Sequence, residues 1–494
     1  MVNNHPPDVV VVLLDTGRSD VVNRTSLAGK ELGALSRIRR ESVIFEEAYA
    51  PSTWTYPSHT SLFTGLYPWE NASLSTEFAP LRPEYPHLAR VLKERGYRTF
   101  SLSANPLVSP WTGLSAPFER SLWSQWWHLF LRVPSLNQPL GDGPMVGAPS
   151  PPLRALPSNL FTLAKRALLR HPRFAQMPSD LLNAVRDPRD SMPGAIDSWI
   201  EPKFDRWLEA LPRAEPIFAF INLMEAHEPY LPGQRGPTGR RVELCRQDRE
   251  SFLAGTWTPT ERELARLRDL YSDGVETALR RASRIAETLE RVGRMENTLF
   301  ILTGDHGQEL GELDGLFHGT YPGDPQTRIP LWLRLPGQSY TGRPAAGFAS
   351  LVDIFGTVVA RTGGDPAPRT SGTDLAMLAD GQRSDPVFSY SEQLPDDGGF
   401  RMHAGSQWIG LNRFWIAGRQ PEASLVVDSH RQLIYPARGS SERKEARGRP
   451  VVLDSVSAPS LLSGADRVYA SIRSALENQA TASADRRLRS WGYF

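Results

Sequence analysis

The chain of 494 residues contains one cysteine, Cys245. A lone thiol excludes an intrachain disulfide and any metal site built from several cysteines, and an inert thiol near a helix is the expectation for it. Long apolar runs are missing too. Nothing approaches the ~18 consecutive apolar residues that a membrane-spanning helix needs. The opening MVNNHPPD has no basic segment ahead of the apolar run Val9 to Leu14. That run therefore reads as a strand and not as a signal peptide, and a cytoplasmic protein is expected. Excess charge of one sign is absent: 56 Lys and Arg face 55 Asp and Glu. This balance argues against nucleic acid as the main partner, because domains that bind it are usually clearly basic. No internal repeat is visible, so nothing points to a solenoid.

What is present is enough chain for one large α/β domain and a smaller one. Val9 to Leu14 is a continuous apolar run, the pattern of a parallel strand buried on both faces. Ile217 to Met224 and Asn297 to Thr303 repeat it, and Tyr97 to Ser103 and Ile329 to Leu335 add further strands. Helical spacing covers Leu27 to Arg40, Tyr85 to Gly96, Thr260 to Val292 and Leu351 to Arg361. Thr260 followed by Glu263 fits a capping box. Val43 to Ala48 reads as a short strand. The rhythm of strand, loop and helix implies a doubly wound, mostly parallel sheet flanked by helices. It should occupy residues 1–381.

Within that span, residues from about 108 to 193 are less regular. Trp111, Trp123, Trp126, Trp127, Phe130 and Leu131 form an aromatic-rich patch, and Leu160 to Arg170 is a short basic amphipathic helix. Core packing of an insertion beside the site is one reading. A lid, or a surface resting on lipid or on an apolar substrate tail, is the other. From 382 to 494 the pattern changes to short strands at Val387 to Glu392, Gln407 to Leu411, Asn412 to Ala417 and Leu425 to Val427, with a helix at Ser460 to Ser474. This reads as an α+β subdomain carrying a short antiparallel sheet, with Ser440 to Arg449 exposed.

The chemistry sits where strands end. Ligands in open α/β sheets bind beyond the carboxyl ends of strands. Asp15 follows the first strand, in Asp15-Thr16-Gly17, where a turn-forming Asp is the plain alternative. Asp305 and His306 follow another strand, and an adjacent Asp-His pair offers one metal an oxygen and an imidazole. His227 follows the strand Ile217 to Met224. Between them lies Ala50 to Pro68, APSTWTYPSHTSLFTGLYP. Pro57 suits the first helical position, which places the Thr55 hydroxyl just ahead of a helix N-terminus, a place for an anion. An ordinary capped helix is the plain alternative.

The run Thr55-Tyr56-Pro57-Ser58-His59-Thr60-Ser61-Leu62-Phe63-Thr64-Gly65 resembles the signature of the sulfatase branch of the alkaline phosphatase superfamily, Cys/Ser-x-Pro-Ser-Arg-x-x-Leu-x-Thr-Gly. Gly304-Asp305-His306-Gly307, followed by Leu310-Gly311-Glu312, resembles that family's Ser-Asp-His-Gly segment. His227-Glu228-Pro229-Tyr230 resembles its His-x-Pro-Tyr motif. The resemblance implies an alkaline phosphatase-like fold and a metal held by Asp15, Thr55, Asp305 and His306. It implies His227 on the ester's anionic oxygens and His318 on the leaving-group side. His59 replaces the family's Arg, with orienting Thr55 or donating to the anion as its implied role. Thr16 stands where many members have a second Asp.

The ligand types suit one divalent ion, Mn²⁺, Zn²⁺, Ca²⁺ or Mg²⁺, and mixed Asp and His ligation leans towards Mn²⁺ or Zn²⁺. A second metal is not expected, since His227 and His318 are assigned to substrate. The family's nucleophile is normally formylglycine, whose hydrate has two hydroxyls and expels sulfate with the second. Thr55 has one. A phosphorylated threonine can still be opened by water or an acceptor alcohol at phosphorus. The expectation is therefore a hydrolase or transferase acting on a small anionic phospho- or phosphodiester-type ester through a covalent Thr55 intermediate. A sulfuric ester hydrolase using unmodified Thr55 is the first alternative. A non-catalytic binding protein on the same fold is the second. The enzyme readings require that Asp15, Thr55, Asp305 and His306, far apart in the chain, meet at one sheet edge.

Overall fold

The computed structural model describes residues 5–27, 32–74, 80–105, 107–123, 200–228, 258–312, 315–319, 322–337, most of 342–379, and 387–392, with strands at 414–420, 423–428 and 433–435 and most of 463–474. Its strands, in chain order, are β1 (Asp8–Leu14), β2 (Val43–Phe45), β3 (Ala48–Tyr49), β4 (Arg98–Ser103), β5 (Arg120–Trp123), β6 (Ile217–Leu223), β7 (Thr298–Gly304), β8 (Glu309–Leu310), β9 (Leu316–Phe317), β10 (Leu331–Arg334), β11 (Pro344–Ala345) and β12 (Ala349–Ser350). Eight of these make one sheet in the order β11-β2-β10-β7-β1-β6-β4-β5. Strand β1 pairs in parallel with both β6 and β7, and β4 in parallel with β5 and β6. Strand β10 runs antiparallel to β7 and β2, so the sheet is mixed but mostly parallel.

The helices are α1 (Ser19–Leu27), α2 (Ala34–Glu41), α3 (Thr55–Thr64), α4 (Leu88–Glu94), α5 (Ile200–Glu209), α6 (Glu261–Arg291) and α7 (Asp353–Thr362). The absence of alternation in β1 has a direct cause. Side chains of a strand point to opposite faces in turn. Val10, Val12 and Leu14 enter a core with Leu35, Ile38, Phe204, Leu279 and Ile285 of α2, α5 and α6. Val9, Val11 and Leu13 enter another with Leu62, Phe63, Leu88, Leu92 and Phe355 of α3, α4 and α7. Both faces are covered by helices, so both sets must be apolar.

Register brings strand ends level. Leu14 lies opposite Leu223 on one side and Gly304 on the other, and Ser103 lies opposite Asn222. Asp15 and Asp305 therefore leave the sheet at the same edge. A separate four-stranded antiparallel sheet joins β13 (Val387–Glu392), β14 (Phe414–Gln420), β15 (Ala423–Asp428) and β16 (Leu433–Tyr435). Strand β13 anchors it near the main body. Val387 packs with Tyr49 and Phe348, and Ser389 Oγ donates to the Ala50 carbonyl at 2.7 Å.

Several local expectations are corrected. The helical span read from Leu27 to Arg40 begins where α1 ends, at Leu27, and holds α2 from Ala34 onward. Gly33 precedes α2 at φ +51°, outside the right-handed helical region, so no continuous helix passes through it. Val43 to Ala48 is two short strands in different sheets, β2 and β3. Helix α3 begins at Thr55, not Pro57. Pro57 still falls in the first turn, where a backbone N–H has no partner within the helix. The capping box is present: Thr260 and Glu263 exchange both bonds at the start of α6. Cys245, Gln407 to Leu411, Leu160 to Arg170, Ser440 to Arg449 and the aromatic residues from Trp126 to Leu131 lie outside the described residues.

Buried His87 shows how tightly the α3 side is packed. Its ring stacks on Phe63 at 4.9 Å, its Nε2–H donates to the Leu114 carbonyl at 3.0 Å, and its Nδ1 accepts from the Ala89 N–H that opens α4. Burial pushes its pKa down from 6.5 to about 3. The unfolded chain thus takes a proton near pH 6.5 that the folded chain refuses. Stability is full above that pH and falls as pH drops towards 3, by about 1.4 kcal/mol per pH unit from this group. His87→Asn, which keeps a cap but has no such proton, is expected to be less stable than wild type at pH 7. The gap should narrow in urea unfolding at pH 4.5.

Candidate active site

Asp15 is fully buried at the end of β1. Its Oδ2 accepts from Asn105 Nδ2 at 2.8 Å and from Asn222 Nδ2 at 3.3 Å. Its Oδ1 has no hydrogen-bond partner among the described residues. Asp305, at the end of β7, shows the same asymmetry. Oδ1 accepts the backbone N–H of Thr16 at 3.1 Å and of His306 at 2.9 Å, whereas Oδ2 is buried with no hydrogen bond. His306 gives its Nδ1–H to the Gly307 carbonyl at 2.9 Å. Its Nε2 lone pair is left facing Asp305 Oδ2 at 3.3 Å and Thr55 Oγ1 at 3.4 Å. Asn105 Nδ2 also reaches Thr55 Oγ1 at 3.4 Å, so one amide spans the Asp15 carboxylate and the Thr55 hydroxyl.

These contacts bring Asp15, Thr55, Asp305 and His306 to one place. Ligand atoms of Asp15, Asp305 and His306 all lie within 4.8 Å of one another. Two carboxylate oxygens and one imidazole lone pair, all buried, face each other without a donor. Burial and the neighbouring Asp15 charge push the Asp305 carboxyl well above its usual range. Burial likewise lowers His306 to about 4, against the pull of Asp15. A divalent cation answers this donor set, and its oxygen and imidazole character suits Mn²⁺ or Zn²⁺. Residue Thr16, at φ +58°, has its hydroxyl between the Asp15 carbonyl at 2.6 Å and the Ala226 carbonyl at 2.8 Å, and gives its backbone N–H to Asp305.

Thr55 is the first residue of α3, and it is buried. The N-cap Trp54 offers no side-chain cap, so the helix start presents its partial positive charge at the position of the hydroxyl. His59, one turn on, is fully buried and packs edge-on against Phe220. Its Nδ1–H donates to the Thr55 carbonyl at 3.0 Å and lies 3.5 Å from Asp305 Oδ2. It holds the backbone of Thr55. Burial lowers its pKa to about 4.

His318 and His227 line up beside this group. The His318 ring lies 4.6 Å from that of His306 and 5.0 Å from that of His227. His318 Nδ1–H donates to Gln308 Oε1 at 2.7 Å, and Gln308 Nε2 donates to Glu228 Oε2 at 3.0 Å. His227 Nδ1 donates to the Glu228 carbonyl. His227, Glu228 and His318 form a second group with ligand atoms within 4.8 Å of one another. Glu228 and His318 are already joined there through Gln308. Glu225, two residues before His227, pairs with Arg281 at 2.6 Å.

A family model described as Sulfatase matches residues 7–364, most of the chain. The chain belongs to the sulfatase family. Mouse steryl-sulfatase is 25% identical over 423 residues, covering 72% of this chain and 62% of that protein. The sulfatase-family chain thus spans less than two thirds of that relative. Mouse arylsulfatase G is 23% identical over 514 residues, covering 97% and 89%. PehA of Trinickia caryophylli, a multifunctional alkaline phosphatase superfamily protein, is 30% identical over 130 residues, covering 26% and 25%. Among solved structures, the phosphonate monoester hydrolase SpPMH from Silicibacter pomeroyi superposes with a TM-score of 0.61 at 20% identity, covering 94% of each chain. The 2-O GAG sulfatase BT1596 does so at 0.60 and 13% identity, covering 98% and 94%. These likenesses establish the alkaline phosphatase-like fold. Members of this family use a divalent metal, which agrees with the donor set above. Among the described residues no helix is long and apolar enough to cross a membrane.

Four residues that sequence reasoning missed touch this site: Asn105, Asn222, Gln308 and Glu228. Asn222 had a signal, being the one polar side chain inside the apolar strand IFAFINL. Asn105 follows a strand end, as Asp15 does. Gly274 of α6 is a further silent contributor. A Cβ there would lie 2.2 Å from the Glu225 carbonyl, so only glycine lets the helix approach the loop that carries His227. Gly274→Ala should displace that loop and cost about 1–3 kcal/mol, the range for overpacking. Thermal unfolding measures the cost, and an unchanged midpoint would show that the loop yields freely.

Proposed function

We propose that this sulfatase-family chain is a metal-dependent enzyme that cleaves a small anionic phospho- or phosphodiester-type ester through Thr55, by hydrolysis or transfer. One observation carries the proposal. A single threonine hydroxyl, at a helix start, lies 3.4 Å from both His306 Nε2 and Asn105 Nδ2 beside partnerless carboxylate oxygens. Asp15, Asp305, His306 and Thr55 are the residues that would hold the cation. When bound there, a divalent cation supplies charge that favours the alkoxide of the nucleophile and offsets charge on the ester.

The chain's own groups do the rest. Thr55 Oγ gives up its proton to solvent and bonds to phosphorus as the bond from phosphorus to the leaving oxygen breaks. Asn105 and the N-terminus of α3 receive the developing negative charge. The imidazolium form of His318 or His227 gives the leaving oxygen a proton from Nε2. Water or an acceptor alcohol then attacks phosphorus, and the Thr55 oxygen departs and regains its proton. His59 keeps the Thr55 backbone in place throughout. One hydroxyl cannot expel sulfate as a two-hydroxyl centre does, which is the reason for preferring phosphorus esters.

A sulfuric ester is the second reading. It is favoured by the family match and by relatives named as steryl-sulfatase and arylsulfatase G.

Purified protein offered an aryl phosphate, an aryl phosphodiester, a phosphonate monoester and an aryl sulfate should turn over the phosphorus esters. Thr55→Ala should lower kcat by on the order of 10⁴-fold or more, as loss of a nucleophile does. Fast sulfate release with the phosphorus esters untouched would replace the first reading with the second. No turnover of any ester, with no metal bound, would point to a binding protein.

A further inference from the structure

We infer that Asn222 is a positioning residue for the cation site, holding one oxygen of Asp15 so that the other is presented as the ligand. The inference rests on the metal-dependent reading above. Strand β6 is buried along its whole length, and every other residue in it is apolar. An amide in such a strand needs a reason, because a buried polar group without partners destabilises the fold. Asn222 lies on the same face of β6 as Phe218 and Phe220, the side covered by the helix that begins with Thr55.

Both amide hydrogens of Asn222 are used. One goes to Asp15 Oδ2 at 3.3 Å and one to Ser103 Oγ at 3.2 Å, across the pairing of β6 with β4. The orientation is forced, since turning the amide over would set its carbonyl against a carboxylate. The cost stays visible: Asn222 Oδ1 is buried with no hydrogen-bond partner among the described residues.

Asn105 supplies the second bond to the same oxygen, at 2.8 Å. It is itself fixed, through its Oδ1 to the Leu107 N–H at 2.9 Å and through its backbone N–H to Ser103 Oγ at 3.0 Å. Ser103 is thus a shared post for both amides. With Oδ2 taken by two donors, Oδ1 is the atom of Asp15 left to ligate, and its direction is set. Asn105 also reaches Thr55, so its loss would mix two effects. Asn222 contacts Asp15 and Ser103 alone among the polar groups here, so it acts on the cation only through Asp15. Groups that orient metal ligands typically change affinity by about 10–100-fold when removed.

The test uses the full-length protein stripped of metal and titrated with Mn²⁺ and with Zn²⁺ by calorimetry. Asn222→Leu, near in shape and without the orphan carbonyl, should bind about 10–100-fold more weakly. Its metal-free thermal midpoint should fall modestly, because the buried Asp15 carboxylate loses one of its two side-chain donors. Asn222→Ala, which cannot clash, should show the same loss of affinity if the leucine variant does not fold. Unchanged metal affinity in a folded variant, with only a lower midpoint, would overturn the inference and leave Asn222 a packing residue. Wild type that takes up neither cation would overturn the metal reading itself, and this inference with it.

Discussion

Two carboxylates, Asp15 and Asp305, are buried together with His306 at the carboxyl edge of the main sheet. Sealing like charges away from water is expensive unless something positive lies between them. The chain answers half of that demand itself. Two side-chain amides hold one oxygen of Asp15, and two backbone N–H groups hold one oxygen of Asp305. The opposite oxygens are left bare, next to an imidazole lone pair. That residual imbalance is the constraint on which the rest depends. It calls for a cation, and the same imbalance sets the Thr55 hydroxyl in a strongly polarising environment.

The scaffold delivers these groups by register. Strands β1, β6 and β7 run in parallel, and their ends stand level, so loops that leave them converge. Close approaches of the backbone then fix the loops. Gly307 donates its N–H to the Gln326 carbonyl at 2.7 Å, and a Cβ on it would meet the Pro325 carbonyl at 2.1 Å. Gly274 lets α6 press against the carbonyl of Glu225. Tyr271, from the same helix, donates to the Thr16 carbonyl at 2.6 Å and accepts the Arg18 N–H at 2.9 Å. Long helix α6 thus braces the turn after β1 and the loop after β6 together.

On the substrate side, polarity is arranged by a chain of fixed donors. Glu228 can only accept, so the amide of Gln308 must turn its NH₂ towards it and its oxygen towards His318. That oxygen in turn requires a proton on His318 Nδ1.

Much of this was legible in the sequence. Continuous apolar runs announced strands buried on both faces, because helices cover the sheet on each side. Asp15, Asp305, His306 and Thr55 stood at strand ends and at a helix start, where α/β sheets gather ligands. The single helix read from Leu27 to Arg40 failed at Gly33, whose φ of +51° is a backbone state that apolar spacing does not reveal. Antiparallel β10 looked like its parallel neighbours because strand direction leaves no mark on composition. The sequence by itself determined the layered fold and the identity of the donor atoms, since period and residue type are local properties. Only the tertiary structure decided which oxygen of each carboxylate is bare and which amides saturate the other. Those facts depend on residues some 90 to 290 positions apart meeting at one edge.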